Sequence, residues 1–296
     1  MNPNQITGLK SAALTGLLIA LGASANAQLA HRYDFTTDAN DSVGTANGTL
    51  KGTATISGGS LNTDGSAGNW SSGAPLNGVM LPSSAVAGIT GAFTIEVWYN
   101  VSFNSGFCTS FSFSDGDTVN HGNYVLGTPA RGNSPYASSI AVVGGGGSFT
   151  GPGDIQASER WSDTAELYSM MLTYDGTTLT YYQNGALDPF GFDAANTLSP
   201  SFSDPGLNLS TLTSIGIAGG SPWPDNSVKG QTLDFRIYNQ SLSANQVAAV
   251  YALGSDASNS SINSAIAAVP EPSSLAVAGL GLLSAVVVVT RRKAKP

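Results

Sequence analysis

From Phe93 to Val101 the chain reads Phe-Thr-Ile-Glu-Val-Trp-Tyr-Asn-Val, with Phe93, Ile95, Val97 and Tyr99 on one side and Thr94, Glu96 and Trp98 on the other. A two-residue period fits a strand with one face on a core, because apolar positions on a helix recur every three or four residues. Shorter runs repeat the pattern at 29–35, 50–56, 169–174, 178–183, 215–218 and 232–238. Asp175-Gly176 separates two of them as a hairpin signal, and Asn184-Gly185 marks a further turn. Gly, Ser, Thr and Asn fill the intervals and helix-period segments are scarce, so the expected class is an all-β sandwich of antiparallel sheets. The stretches 103–167 and 185–210 read as long loops with short strands, and no internal repeat is visible.

One short C-terminal α-helix is expected between Leu242 and Gly254. Ser243 is placed to cap it, Gln246 completes a capping box three residues later, and Gly254 stops it. Val247, Val250 and Tyr251 share a face. Residues 255–268 are small and polar without periodicity, which predicts a linker.

Both ends of the chain carry address signals. After Lys10, an apolar stretch to Gly22 is too short to span a bilayer and leads to Ala25-Asn26-Ala27, a small-x-small cleavage site. Residues 1–27 are therefore a signal peptide, and the mature chain begins near Gln28. At the other end, Val269-Pro270-Glu271-Pro272 precedes an uncharged apolar run from Leu275 to Val289 and a basic tail with Arg291, Arg292 and Lys293. A helix over that run is roughly 22 Å long at about 1.5 Å per residue. It reaches the ~30 Å of a bilayer core only if Ser273, Ser274 and Thr290 join it and the arginines snorkel, giving a transmembrane helix over about 273–290. Cations on one side only place the tail in the cytoplasm. These three parts in this order resemble the PEP-CTERM sorting signal of Gram-negative bacteria, here residues 269–296. The resemblance implies recognition by an exosortase-type membrane protease, removal of the anchor, and delivery to the envelope or extracellular matrix.

Charge and cysteine content narrow the partners. Of 11 basic residues, Lys10 and four in the tail lie outside residues 28–270, leaving 6; of 19 acidic residues only Glu271 does, leaving 18. A body with a net charge of −12 repels nucleic acid and anionic membrane surfaces, so neither is an expected partner. The single cysteine, Cys108, allows no intrachain disulfide; with no local base tied to it, it reads as a buried inert thiol.

The body resembles the bacterial LamG type of concanavalin A-like jelly roll. The matching segments are the first strand with Asp34, the loop Asp41-x-x-Gly44-x-x-Asn47-Gly48-Thr49-Leu50, the Phe93–Trp98 strand, the Tyr174–Gly185 hairpin, and Leu233–Asn239 followed by Leu242-Ser243. The resemblance covers a domain over 28–254 and implies two antiparallel sheets with the first and last strands side by side. It also implies a structural Ca²⁺ where those strands meet, with Asp34, Asp41 and Asp234 as candidate ligands. The competing reading is that Asp41 caps a turn and that Asp234 pairs with Arg236 or caps a strand end.

Catalytic constellations are thin. Glycoside hydrolases of this fold use carboxylates at period two on one strand; here Glu96 stands alone and reads as structural. Asp115 and Asp117 have the spacing but sit in a Ser-Asp-Gly-Asp turn. No strand-to-helix elbow frames a serine, and Gly144 to Gly147 lacks the Lys-Ser/Thr of a phosphate loop. Trp70, Trp161 and Trp223 are the candidates for stacking on sugar rings, whereas Trp98 alternates within a strand and reads as core. The expectation is a non-catalytic module for polysaccharide or matrix-protein binding and adhesion. A concanavalin-like hydrolase or lyase and a structural matrix protein without a discrete ligand are the alternatives.

Overall fold

A computed structural model describes residues 28–66, 77–101, 108–116, 122–131, 137–144, 153–161, 167–187, 201–203, 206–220 and 225–269. In chain order the strands begin with β1 (Leu29–Tyr33), β2 (Thr49–Lys51), β3 (Thr55–Ser57), β4 (Ser60–Asp64), β5 (Gly78–Leu81) and β6 (Phe93–Val101). The middle contributes β7 (Cys108–Thr109), β8 (Phe111–Ser114), β9 (Tyr124–Arg131), β10 (Ala137–Gly144) and β11 (Gly153–Trp161). Then follow β12 (Leu167–Tyr174), β13 (Thr178–Gln183), β14 (Ser201–Ser203), β15 (Ser214–Ile217), β16 (Asn226–Ser227) and β17 (Lys229–Tyr238). Two helices, α1 (Ala244–Tyr251) and α2 (Asn259–Ala268), close the described chain.

The strands form two sheets. The first runs β14-β13-β12-β6-β17-β4-β3, with β1 also on β17; the second runs β11-β10-β9-β8-β15-β5-β2. β1 and β17 pair antiparallel from Leu29↔Tyr238 to Tyr33↔Phe235, so the first and last strands do lie side by side. The long-loop reading of 103–167 is corrected: five strands occupy it, and β9, β10 and β11 extend the second sheet. Its Ser- and Gly-rich composition hid them, since such strands carry weak apolar alternation.

The alternation of β6 places Phe93, Ile95, Val97 and Tyr99 between the sheets, together with Met170, Leu172, Tyr174, Leu179 and Tyr181. Phe235 on β17 bridges the layers, its ring 6.0 Å from Phe111 and 6.3 Å from Phe113 across the sandwich. Cys108, which is in no disulfide, is a buried member of this core.

The opposite face of the first sheet is covered by the two helices. Leu29, Met171, Tyr182, Tyr238 and Leu242 there meet Val247 and Val250 of α1 and Ile262 and Ile266 of α2. Ser243 and Gln246 form the expected capping box. The linker reading of 255–268 is overturned: ten of those residues form α2, which docks through its two isoleucines. Trp98 is buried on this helix-covered face, stacked on Tyr251 with ring centroids 5.3 Å apart, and does not enter the inter-sheet core.

Candidate functional site

The outer face of β6 and β17 carries a buried charge cluster. Sheet register sets Arg236 opposite Glu96 on β6 and opposite Arg32 on β1. Two guanidiniums side by side would repel, and Asp234 on the same strand neutralises the pair: Arg32 Nε donates to its Oδ1 at 3.1 Å and Arg236 Nε to its Oδ2 at 2.7 Å. Glu96 accepts from Trp98 Nε1 at 2.6 Å, Tyr238 Oη at 2.6 Å and Arg236 at 3.1 Å. Both oxygens of Glu96 are thus engaged, with no exposed surface. The four charges sum to zero, the condition under which such a group tolerates burial. Burial lifts the Asp234 carboxyl to about 6, against the pull of Arg236 and Arg32.

The candidate calcium ligands do not converge. Asp34 Oδ1 accepts from the amide and hydroxyl of Thr36 in a local turn. Asp41 organises its own loop: Oδ1 accepts from the amides of Arg32, Val43 and Gly44, and Oδ2 from the amide of Ala46. His31 Nδ1 lies 2.6 Å from the same Oδ2. Burial acts to raise this carboxyl, but the His31 contact and the amide hydrogen bonds outweigh it and hold Asp41 below the usual carboxylate range. Asp234 is taken by two arginines. Asp41 and Asp234 thus spend both carboxylate oxygens on protein donors, so these three residues do not fit a calcium site as a group. Among the described residues no cluster of three or more His, Cys, Asp or Glu is arranged to hold a metal.

Other predicted residues fall elsewhere. Trp161 ends β11, while Trp70, Trp223, Asp117 and His121 lie outside the described residues. Asp115 accepts the amide of Asn123, the residue before β9, at 2.7 Å. Ala25, Ala27, Pro270, Glu271, Pro272, Arg291, Arg292 and Lys293 also lie outside, as does the 273–290 span; Val269 is the last described residue. No helix among the described residues is long and apolar enough to cross a membrane.

The helices leave a strip of the first sheet uncovered. On it, Gln231 stands directly opposite Asn62 on β4 and Asn100 on β6, and Asn100 stands opposite Leu167 on β12. Adjacent strands lie about 4.8 Å apart, so this row presents three amides and an apolar side chain at near-regular intervals. Gln231 is exposed, Asn62 and Asn100 partly so, and Leu167 is 46% exposed. The amides line a cleft of about 370 Å³ together with Asp64 and Lys229. A larger cleft of about 690 Å³ lies where the 88–92 loop meets the start of α1, but Ser243, Gln246 and Asp175 on its wall are bonded within their own caps and turns. Sequence reading missed the amide row. Asn100 was available as the next outward position after Trp98, whereas nothing local marks Asn62 or Gln231.

The family model of the concanavalin A-like lectin/glucanases superfamily matches residues 72–248, over half of the chain. The chain belongs to this superfamily. A second model, the PEP-CTERM protein-sorting motif, matches residues 268–293 of this superfamily member. Similar solved structures include domain 4 of AbnA, a GH43 extracellular arabinanase from Geobacillus stearothermophilus, in complex with arabinotriose. That match has 17% identity and a TM-score of 0.48, covering 75% of this chain and 98% of that one. The CBM40 of the Ruminococcus gnavus IT-sialidase, bound to α2,3-sialyllactose, matches at 13% identity and 0.45, over 68% and 97%. A Trypanosoma rangeli sialidase matches at 14% and 0.47, over 76% of this chain and 33% of its own length. Comparison with curated protein sequences finds no match.

Proposed function

We propose that this chain is an exported, non-catalytic carbohydrate-binding module, delivered to the cell envelope by its PEP-CTERM signal, that takes a neutral polysaccharide on the uncovered strip of the first sheet. The amide row of Asn62, Gln231 and Asn100 carries the reading. A side-chain amide carries two donors and an acceptor, which matches hydroxyl groups that both give and take hydrogen bonds. Within the row, Asn62 Nδ2 donates to the Ser57 and Ser60 carbonyls and its Oδ1 accepts from Gln231 Nε2 at 3.4 Å, so Asn62 holds Gln231 in place and the recognition falls to Gln231 and Asn100. Leu167 at the end of the row supplies an apolar surface for C–H groups. A body with 18 acidic and 6 basic residues disfavours polyanions. The non-catalytic part of the reading is supported by Glu96, whose two oxygens are consumed by Trp98, Tyr238 and Arg236.

The test is binding of residues 28–269 to a panel of neutral and anionic bacterial polysaccharides, with reducing-end release followed in the same samples. Saturable binding to neutral members without release supports the reading. Release that persists in Glu96→Gln would establish a hydrolase using other groups, and absence of binding by folded protein would favour a structural matrix protein.

A further inference from the structure

The chain between α1 and the sorting motif is fastened to the body along its length. Arg236 donates to the carbonyls of Gly254 at 2.9 Å and Ser255 at 3.0 Å, and Arg32 donates to those of Ser255 at 2.8 Å and Ala257 at 2.6 Å. Asn259, the first residue of α2, accepts from Arg32 at 2.9 Å and donates to the Ser42 carbonyl at 3.0 Å. One turn on, Asn263 accepts the amide of Leu29 at 3.1 Å, on the strand that opens the mature chain. Ile262 and Ile266 are buried beneath. Val269, the last described residue, is also held: its carbonyl accepts from Gln246 Nε2 at 3.4 Å.

Pro270, the first residue of Pro-Glu-Pro, comes next in the sequence. Only Pro270 to Ser274 separate the fastened chain from the apolar run beginning at Leu275. Five residues reach at most roughly 17 Å when fully extended, and the three that precede the 273–290 span roughly 10 Å, which brings the body close to the bilayer and leaves little room for a membrane protease between them. Releasing α2 adds its ten residues, or roughly 33 Å of extended chain.

We infer that α2 is a releasable strap that controls access to the sorting motif: docked, it fastens the chain up to Val269, the residue before Pro-Glu-Pro, and released, it leaves the motif on a longer tether. The inference rests on the reading that the tail is anchored in the membrane and processed by an exosortase-type protease. The strap is suited to release. Its sequence, Asn-Ser-Ser-Ile-Asn-Ser-Ala-Ile-Ala-Ala, is too short for a stable helix in isolation. Its departure breaks no strand pairing, and Arg32 and Arg236 keep Asp234 and Glu96 as partners. Opening is therefore local, and its free energy is separate from that of the sandwich. Newly exported chains are processed before α2 docks, and folded chains only through the released fraction.

The experiment follows the full chain, tagged after Pro296, in a Gram-negative host with an exosortase-type protease, by pulse-chase loss of the tag. One variant carries a ten-residue Gly-Ser spacer between Val269 and Pro270; a second is Ile262→Asp with Ile266→Asp. Both are expected to shorten the processing half-time of folded chains about tenfold or more, the factor set by the docked-to-released ratio. The spacer variant should keep the melting temperature of the parent body, which separates tether length from damage to the fold. Equal half-times in parent and spacer variant overturn the strap while leaving the sorting reading intact. Retention of the tag in every variant, including one with Pro-Glu-Pro untouched and a spacer added, contradicts the sorting reading and the strap with it.

Discussion

At the scale of single residues, the outer face of β6 and β17 is decided by charge compensation. Glu96, Asp234 and Arg236 have no exposed surface, and Arg32 is buried with 6% exposed. Removing one member leaves an uncompensated buried charge, which costs about 3–5 kcal/mol. Glu96→Gln is therefore expected to lower unfolding free energy by roughly 3 kcal/mol, the low end of that range because the amide oxygen still accepts from Trp98; chemical denaturation measures it. Asp41 makes a different prediction. Its folded-state pKa is depressed, so it contributes stability that is present above the unfolded value of about 3.9 and lost as pH falls through the folded value. Asp41→Asn should flatten the acid limb of the stability curve below about pH 4, and an unchanged slope would remove Asp41 from the account. Sequence offered half of this. Arg236 as a partner for Asp234 is visible two residues away, but Arg32 is 202 residues distant and only the β1–β17 pairing delivers it.

Among elements, α1 was legible and α2 was not. Ser243, Gln246 and Gly254 carry the stop and start chemistry of α1 within the sequence. In α2 only Ile262 and Ile266 are large and apolar, too few to register as a stripe among serines and asparagines, and its helix depends on docking against Leu29 and α1. The domain accordingly extends to Val269, beyond the expected edge at 254. A chain of residues 28–254 should be less stable than 28–269 by several kcal/mol, since it loses two buried isoleucines at about 1.5–3 kcal/mol each and leaves guanidinium donors of Arg32 without acceptors. Thermal unfolding of the two lengths checks this, and equal melting temperatures would return 255–268 to the status of a linker.

For the whole molecule, the sandwich was readable because period-two alternation is a property of individual strands, and Phe93–Val101 and Thr178–Gln183 appear with the bounds the sequence suggests. Strands β7 to β11 escaped because serine and glycine give a pattern-free sequence whose pairing is settled by neighbours in the second sheet. The functional face was less readable still. A binding row across three strands brings together Asn62, Asn100 and Gln231 from distant parts of the chain, and no local spacing encodes it. The proposed activity also follows from the molecule as a unit: the helices cover one part of a sheet face, the remainder stays polar and open, and the sorting signal carries that surface outward. The most direct measurement is titration of the 28–269 protein with the neutral polysaccharide it binds best, set beside Asn100→Ala and Gln231→Ala. The account predicts at least about a tenfold loss of affinity in each, near 1.4 kcal/mol, with unchanged melting temperature. Unchanged affinity in both folded variants would contradict the assignment of the site.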